Sequence, residues 1–345
     1  MWGIVSDKHQ PYDLKQMQSL PLEAKIIMTQ RRIREWYEHW DGMVYVSFSG
    51  GKDSTVLKHI VDSMYDDVPS LFVNTGLEYP EIQKFAMSQK NVVAVRPEMR
   101  FDEVIKKYGY PVISKSVSHA VRIAKRNPNG QIMKNLFDPN NKGRFGCYRW
   151  KFLIDSSIPV SDNCCDVMKK APAKKYAKET ERKPIIGTLA EESSLRYKNW
   201  LQQGCNAFSS KNPSSQPLSF WTEQDILHYL KKYNVPYCSV YGDIVSQDAD
   251  GNEYDLPQDY LDVFSSFGGR PELKTTGSDR TGCIFCMFGC HLEKEPNRFQ
   301  RLKQTHPRQY QYCIGGGEMV DGKWQPSKDG LGLGHVLDYI GVKYD

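Results

Sequence analysis

The stretch that most constrains this chain is Ser49-Gly50-Gly51-Lys52-Asp53-Ser54, which follows the apolar run Met43-Val44-Tyr45-Val46-Ser47-Phe48 and precedes Thr55-Val56-Leu57-Lys58-His59-Ile60-Val61. A β-branched and aromatic run that ends in small residues and then opens an amphipathic segment reads as strand, tight loop and helix. Such a loop is suited to phosphate. Adjacent glycines let the backbone turn sharply and bring its N–H groups close to an anion, while the helix N-terminus adds unpaired donors and the positive end of its dipole. Lys52 adds a mobile full charge. No glycine lies five residues before Gly51-Lys52, so the Walker A spacing fails and a P-loop kinase or GTPase is excluded.

The segments around the loop extend the same architecture. A helix to about Tyr65, a turn at Asp66-Asp67-Val68-Pro69 and a strand from Ser70 to Asn74 complete a βαβ unit, whose strands should be parallel and whose crossover should be right-handed. Ligands in such sheets sit beyond the carboxyl ends of strands, where Ser49 and Thr75-Gly76 both fall. Ahead of the loop, Ala24, Ile27, Met28, Ile33 and Trp36 recur at helical spacing between Leu22 and Trp40. Beyond it, helices are expected over Pro80 to Lys90 and Phe101 to Tyr108, and strands over Asn91 to Arg96 and Lys183 to Thr188. Thr222 reads as the N-cap of a helix, with Asp225 as an acidic variant of the capping box.

The fold class predicted is therefore α/β, a Rossmann-like parallel sheet with helices on both faces. At 345 residues the chain has room for one large domain with insertions or for two domains. The expected division is an N-terminal surface arm over 1–21, a nucleotide-binding domain over 22–240 with a basic helical insertion at 112–183, and a cysteine-rich region over 241–345. The glycine-rich last thirty residues read as irregular.

The net charge of +5 is too small to point to nucleic acid by itself, but its distribution is uneven. Between Val117 and Lys151, eight cations (Arg122, Lys125, Arg126, Lys134, Lys142, Arg144, Arg149, Lys151) face the single acid Asp138. A second basic run covers Lys169, Lys170, Lys174, Lys175, Lys178, Arg182 and Lys183. These are either solvated helix faces or a surface for a phosphate backbone. Asp243 to Asp259 carries six acids and no base, and reads as a solvated acidic loop rather than a calcium site. No apolar run approaches the ~20 residues a membrane helix needs, and the first residues lack a charged and apolar leader. No membrane partner and a cytoplasmic location are the expectation.

Nine cysteines without an export signal point to a metal or redox site rather than to disulfides. Cys164-Cys165 and the distant Cys283-Ile284-Phe285-Cys286 can supply four thiolates, which suit Zn2+ or an iron–sulfur cluster equally in geometry. Cys290 extends the second group and offers another ligand set with Cys147 or one of the pair, and unliganded core thiols are the bland reading. Cys147 also sits between Arg144 and Arg149, where positive charge favours thiolate.

The hexapeptide resembles the PP-loop of the ATP pyrophosphatases (adenine nucleotide alpha hydrolase-like), a superfamily that includes PAPS reductases, sulfate adenylyltransferase small subunits, tRNA thiolases and DNA phosphorothioation sulfurtransferases. The later motifs resemble its PAPS reductase-like branch. Asn74-Thr75-Gly76-Leu77-Glu78-Tyr79-Pro80-Glu81 is similar to the second-strand signature, which implies that Asn74, Thr75 and Gly76 help hold the nucleotide. Gly187 to Arg196 is similar to the glycine, arginine, glutamate-serine, arginine signature. Glu192, Ser193 and Arg196 match it, while Leu189 stands where arginine is usual. The order of cysteines resembles the 4Fe–4S arrangement of APS reductases, which implies Cys164, Cys165, Cys283 and Cys286 as ligands. Cys313 lies at a distance reminiscent of the reductases' catalytic cysteine, without the tail motif around it.

The resemblance implies ATP and Mg2+ as cofactors, because Lys52 beside the glycines suits a pyrophosphate that APS and PAPS lack. Ser49, Gly50, Gly51, Lys52, Asp53 and Ser54 would hold the nucleotide. Lys52 would neutralise departing pyrophosphate, Asp53 would engage Mg2+, and Cys147 or Cys313 would be the reactive thiol. The activity implied is an ATP-dependent, adenylating sulfurtransferase acting on DNA or tRNA, fed by a cysteine desulfurase or other sulfur donor. The alternatives are an APS or PAPS reductase forming sulfite, and a non-catalytic ATP- and nucleic-acid-binding subunit of a modification or defence complex.

Overall fold

The strand Val44–Ser47 forms where the sequence puts it, and burial of Val44, Tyr45 and Val46 explains why its first three positions are all apolar. A strand covered on both faces has no solvent side to keep polar. It pairs in parallel with Ser70–Val73 on one side, Val46 opposite Ser70, and with Lys183–Ile186 on the other, Val44 opposite Lys183. The computed structural model describes residues 8–141, 143, 146–247, 253–254 and 271–345. The six-stranded sheet runs Val92–Val95, Ser70–Val73, Val44–Ser47, Lys183–Ile186, Ser214–Ser215, Asn206–Ala207, with only the last pair antiparallel. This is the α/β class expected, a mostly parallel sheet with helices packed on it.

The chain divides into two compact units: Met1–Asn74, Tyr79–Val95 and Ala173–Thr281 form the first, and Thr75–Glu78, Arg96–Pro172 and Gly282–Asp345 the second. The division is interleaved and does not follow the linear boundary expected at residue 240. The first unit keeps residues 241–281, and the expected basic insertion belongs mainly with the C-terminal cysteines. A linear reading cannot see this, because the crossings, after Asn74, Glu78, Val95, Pro172 and Thr281, have no linker composition to mark them.

In the first unit, Ile33 and Trp36 of the helix Leu22–His39 join Val56, Leu57, Ile60 and Val61 of the helix Lys52–Asp62 in the core, each at most 1% exposed. The helix Glu223–Lys232 is capped as predicted: Thr222 accepts from the Asp225 N–H, and Asp225 accepts from Thr222 N–H at 2.8 Å. Asp225 also receives the Lys25 ammonium at 2.5 Å, with both side chains buried. Within the surface arm expected over 1–21, the described residues 8–21 contain a helix. Pro11–Gln18 is helical, started by Pro11 at its first turn and by Asp13 accepting from the Gln10 N–H at 2.7 Å. It buries Leu14, and the Gln18 carbonyl accepts from Lys25. One turn-and-a-half of apolar periodicity was too short to register.

In the second unit, Val112–Ile113 pairs in parallel with Met287–Phe288, which brings Pro111 and the C-x2-C segment to one place. The basic region is an interrupted helical segment as expected, with helices Lys115–Arg126 and Gln131–Leu136 separated by the Asn127-to-Gly130 turn. Lys142, Arg144 and the acids of the 248–252 loop lie outside the described residues. The last thirty residues are more ordered than their glycines implied. Glu318–Val320 and Lys323–Gln325 form a hairpin closed by Asp321 and Gly322, both with positive φ, as a two-residue primed turn requires, and Leu333–Tyr339 is helical. A Cβ on Gly316 would lie 2.3 Å from the Gly330 nitrogen, so glycine is there for close backbone packing. Among the described residues, no helix is long and apolar enough to cross a membrane.

The Lys25–Asp225 pair generates a stability prediction. Lys25→Met leaves a buried carboxylate without its cation and should cost roughly 3 kcal/mol. Lys25→Met with Asp225→Asn should recover part of that loss in urea unfolding; equal stability of Lys25→Met and wild type would refute it.

Candidate functional site

The phosphate-type loop is held open by backbone geometry. Gly50 has φ +74°, and a side chain there would press on Ile82 Cγ2 at 3.0 Å. Gly187, just past the strand Lys183–Ile186, comes so near the loop that a Cβ would sit 2.9 Å from the Asp53 carbonyl oxygen. Ser54 Oγ donates to the Gly51 carbonyl at 2.9 Å and accepts from the Ser49 N–H at 3.2 Å, while the two serine hydroxyls lie 3.1 Å apart. These bonds fix the turn from inside.

The loop edges a cavity of about 260 Å³ in the first unit, lined also by Gly187, Glu192, Arg196, Glu223, Tyr241 and the Asp279-Arg280-Thr281 segment. The Gly51 and Lys52 N–H groups meet only hydroxyls, Ser49 Oγ and Tyr241 Oη, each at 3.3 Å. Both are weak neutral acceptors that an anionic oxygen can displace. Lys52 is buried, its ammonium 2.9 Å from Glu223 Oε1 and over the Tyr241 ring at 5.2 Å. Burial pushes the Tyr241 phenol up to about 12, so it stays a neutral donor, and it shares a 2.6 Å bond with Thr281 Oγ1. Burial likewise raises the Asp53 carboxyl, with Lys52 pulling it down and Glu223 raising it further.

The glutamate-serine signature divides by role. Glu192 accepts from the Leu189 N–H at 3.0 Å, is paired with Arg196, and lies 3.6 Å from Arg280. Ser193 instead caps the helix Ser194–Gln203 by accepting from the Arg196 N–H. Leu189 is buried and offers no charge, so Arg280 brings a cation to Glu192 from a different part of the chain. Sequence reasoning missed Arg280, Glu223 and Tyr241 as site residues. The Gly277-to-Gly282 stretch, polar and bracketed by glycines, was the available signal for Arg280 and Thr281. The Asn74 N–H extends the sheet by donating to Val95 O at 2.8 Å. Thr75 and Gly76 group with the second unit, where the Thr75 hydroxyl donates to Glu78 at 2.7 Å.

The second unit holds the cysteine site. Cys164, Cys165, Cys283 and Cys286 line one small apolar cavity with Leu77, Phe101, Pro111, Met168 and Lys169. The Cys164 and Cys165 sulfurs are 3.9 Å apart. The Cys164 hydrogen bond lowers the Cys165 thiol, assisted by Lys115 and Lys169, whereas burial pushes Cys283 up to about 11. Lys169 follows Cys165 within a π-helical turn, Asp166–Lys170, a distortion common at functional positions. Among the described residues, no three Cys, His, Asp or Glu groups converge on a point suited to a single metal ion. Four cysteines lining one apolar cavity, with Lys169 beside them, are a donor set that suits an iron–sulfur cluster or a zinc ion.

The two thiols expected to be reactive, Cys147 and Cys313, lie away from the four-cysteine cavity lining. Cys147 and Cys313 are 3% and 0% exposed, and burial raises both. Neither has the access and lowered pKa of a reactive thiolate. Arg144, the expected neighbour of Cys147, lies outside the described residues. Cys290 is buried and donates to the Met287 carbonyl at 3.0 Å, apart from the cavity lining.

The close approach at Gly187 generates the second prediction. Gly187→Ala should displace the Asp53 carbonyl and weaken a non-hydrolysable ATP analogue by about tenfold in calorimetry, ~1.4 kcal/mol, with little change in thermal midpoint. Undiminished affinity would separate Gly187 from the loop's function.

Comparison with known proteins places these features in a family. The model of the phosphoadenosine phosphosulfate reductase domain matches residues 43–139 and 138–286, more than half the chain. Two uncharacterized proteins of Methanocaldococcus jannaschii are similar: MJ0973, 24% identical over 291 residues (83% of this chain, 50% of that protein), and MJ0066, 24% identical over 216 residues (61% and 35%). The chain thus spans half or less of the length of these relatives. Among solved structures, the phosphoadenylyl-sulfate reductase of Candida auris is 14% identical with TM-score 0.35, covering 68% of this chain and 92% of that one. The FMN adenylyltransferase of Candida glabrata gives 13%, 0.39, 69% and 70%, and the U34-tRNA thiolase NcsA of Methanococcus maripaludis with its 4Fe–4S cluster gives 14%, 0.30, 71% and 75%. These structural likenesses are too loose to add to the geometry above. The family match is sufficient by itself: the chain belongs to the phosphoadenosine phosphosulfate reductase domain family.

Proposed function

We propose that this chain is an ATP-dependent sulfurtransferase that adenylates an oxygen of an acceptor, releases pyrophosphate and exchanges the activated oxygen for sulfur. The proposed acceptor is nucleic acid, DNA or tRNA. The observation that carries the reading is the charge inventory around the loop. Lys52, Arg196 and Arg280 face Asp53, Glu192, Glu223 and Asp279, so the lining holds three cations and four carboxylates. A triphosphate brought with Mg2+ uses both signs, its β,γ-diphosphate taking Lys52 and its metal meeting Asp53, whereas an adenylyl sulfate, of the same net charge as Mg-ATP, has neither a diphosphate for Lys52 nor a metal for Asp53.

The first step follows from the loop. An acceptor oxygen attacks the α-phosphorus, the bond to the β,γ-diphosphate breaks, and the departing charge is met by the Gly51 and Lys52 amides and the Lys52 ammonium. Lys52 must exchange Glu223 for phosphate as the nucleotide enters. Asp53 is the residue that would hold Mg2+, and a bound cation would offset the burial that raises its carboxyl. The terminal sulfur of a persulfide, supplied by a donor such as a cysteine desulfurase, then attacks the acceptor atom, whose bond to the adenylated oxygen breaks as AMP leaves. A second, external thiol cleaves the resulting acceptor–S–S–carrier disulfide, supplying the two electrons and leaving as a mixed disulfide with the carrier. A cluster held by Cys164, Cys165, Cys283 and Cys286 would supply a site for sulfur or electrons, while Lys169 and Lys115 keep negative sulfur favourable there.

The test is pyrophosphate release from ATP by protein purified without oxygen, with DNA and tRNA supplied. Lys52→Ala should reduce it at least about a hundredfold, ~2.7 kcal/mol of barrier. Cys283→Ser should lose iron, about four atoms per chain, together with visible absorption. Thiol-dependent sulfite release from an adenylyl sulfate, with ATP ignored, would overturn this reading in favour of a reductase. Nucleotide binding that never leads to turnover would point to a non-catalytic subunit.

A further inference from the structure

A second cavity, of about 500 Å³, lies within the second unit and takes no part in the chemistry described above. The end of the helix Phe101–Tyr108, the last turn of Lys115–Arg126, the segment Ser156 to Val160 and the hairpin turn at Asp321 to Lys323 surround it. Its lining carries Lys106, Lys107, Arg122, Lys125, Arg126 and Lys323 against one acid, Asp321.

Two of these cations are committed to the fold. Arg122 Nε donates to Asp162 at 2.8 Å, and Lys125 Nζ donates to the Ser156 and Ile158 carbonyls at 2.7 and 2.8 Å. They fasten the floor. The other four, Lys106, Lys107, Arg126 and Lys323, are exposed, and among the described residues none of their side chains forms a hydrogen bond or ion pair, the Lys107 ammonium lying over one face of the Tyr108 ring at 5.3 Å.

Helix-dipole compensation accounts for part of this, since Lys106, Lys107 and Arg126 stand in last turns, where cations are favoured. It does not account for Lys323, which comes from a hairpin with no helix end to complement. Burial lowers the Lys125 ammonium, with Asp155 raising it and Lys323 near enough to lower it again. Like charges assembled around a concavity become favourable when an anion with several charges enters. The concave shape suits a chain of phosphates better than a flat bilayer surface. Half-buried Tyr108 adds a ring on the wall, of the kind on which bases stack.

We propose that this cavity binds a single strand of nucleic acid, its phosphodiester backbone lying against Lys106, Lys107, Arg126 and Lys323 with a base against Tyr108. The assignment rests on the nucleic-acid reading of the acceptor, but it is tested by binding alone.

Fluorescence anisotropy with labelled single-stranded DNA and RNA, over a range of potassium chloride concentrations, reads it directly. Four phosphate contacts predict a slope of log affinity against log salt of about −2.8, falling in magnitude by about 0.7 for each cation removed. Lys107→Glu with Lys323→Glu should weaken binding roughly tenfold or more, and Lys106→Gln with Arg126→Gln less steeply. Lys174→Glu with Lys178→Glu makes the same charge change on the other basic run and should leave binding within about twofold. Equal losses in the groove and control variants, or none in the groove variants, would overturn the proposal. So would equal or tighter binding to anionic vesicles or a polyglutamate peptide. The ATP analogue should bind all variants alike, which confirms folding. Strand binding without any pyrophosphate release would support this groove while removing the sulfurtransferase reading.

Discussion

The glycine loop depends on one contact between backbones. Gly187 can approach the Asp53 carbonyl only because it has no side chain, and that approach sets the end of one central strand against the loop that follows another. Parallel pairing of Val44–Ser47 with Lys183–Ile186 holds the two in register, with Ser47 opposite Ile186. From there the rest of the pocket is placed. Gly187 leads into Leu189 and Glu192, Glu192 draws in Arg196 and Arg280, and Glu223 at a helix N-terminus receives Lys52. The arrangement is rigid because the sheet supplies it, and a loop carrying the same six residues elsewhere would lack these partners.

Local order in this protein was legible where a short segment contains its own cause. The strand, glycine turn and helix around Lys52 needed only alternation, two glycines and an amphipathic run, and the cap at Thr222 needed only Asp225 three residues on. The four cysteines were legible as a set because thiols are rare and paired spacing is restrictive. What could not be read was anything that depends on long-range approach. Arg280 reaches Glu192 across about ninety residues of chain, and nothing near either residue announces the other. The glycines at 316, 330 and 332 looked like loop punctuation, yet two of them close a backbone-to-backbone contact that side chains would block. Cys147 looked activated by its arginine neighbours in sequence, and burial removed that role.

The two kinds of site solve opposite electrostatic problems. Around the loop, cations and carboxylates are interspersed, so that charge brought by an entering anion can be absorbed by exchanging partners. Around the cysteines the lining is apolar, and Lys169 is the basic member, its ammonium kept protonated against burial by Cys283 and Glu78. A low-dielectric setting strengthens each of these interactions and makes any missing partner expensive. This explains why the thiols of the two core positions, Cys147 and Cys313, stay neutral while Cys165 is the one held low.

The interleaving of the two units has a consequence for synthesis. Lys183–Ile186, the parallel neighbour of Val44–Ser47, is made only after residues 96–172 have emerged, and those residues belong to the other unit. Until then one edge of the central strand lacks its native partner, and such edges invite pairing with other chains. Vectorial folding, domain after domain, is therefore closed to this polypeptide. Its central sheet is completed late, and the nascent chain should rely on chaperones over that interval.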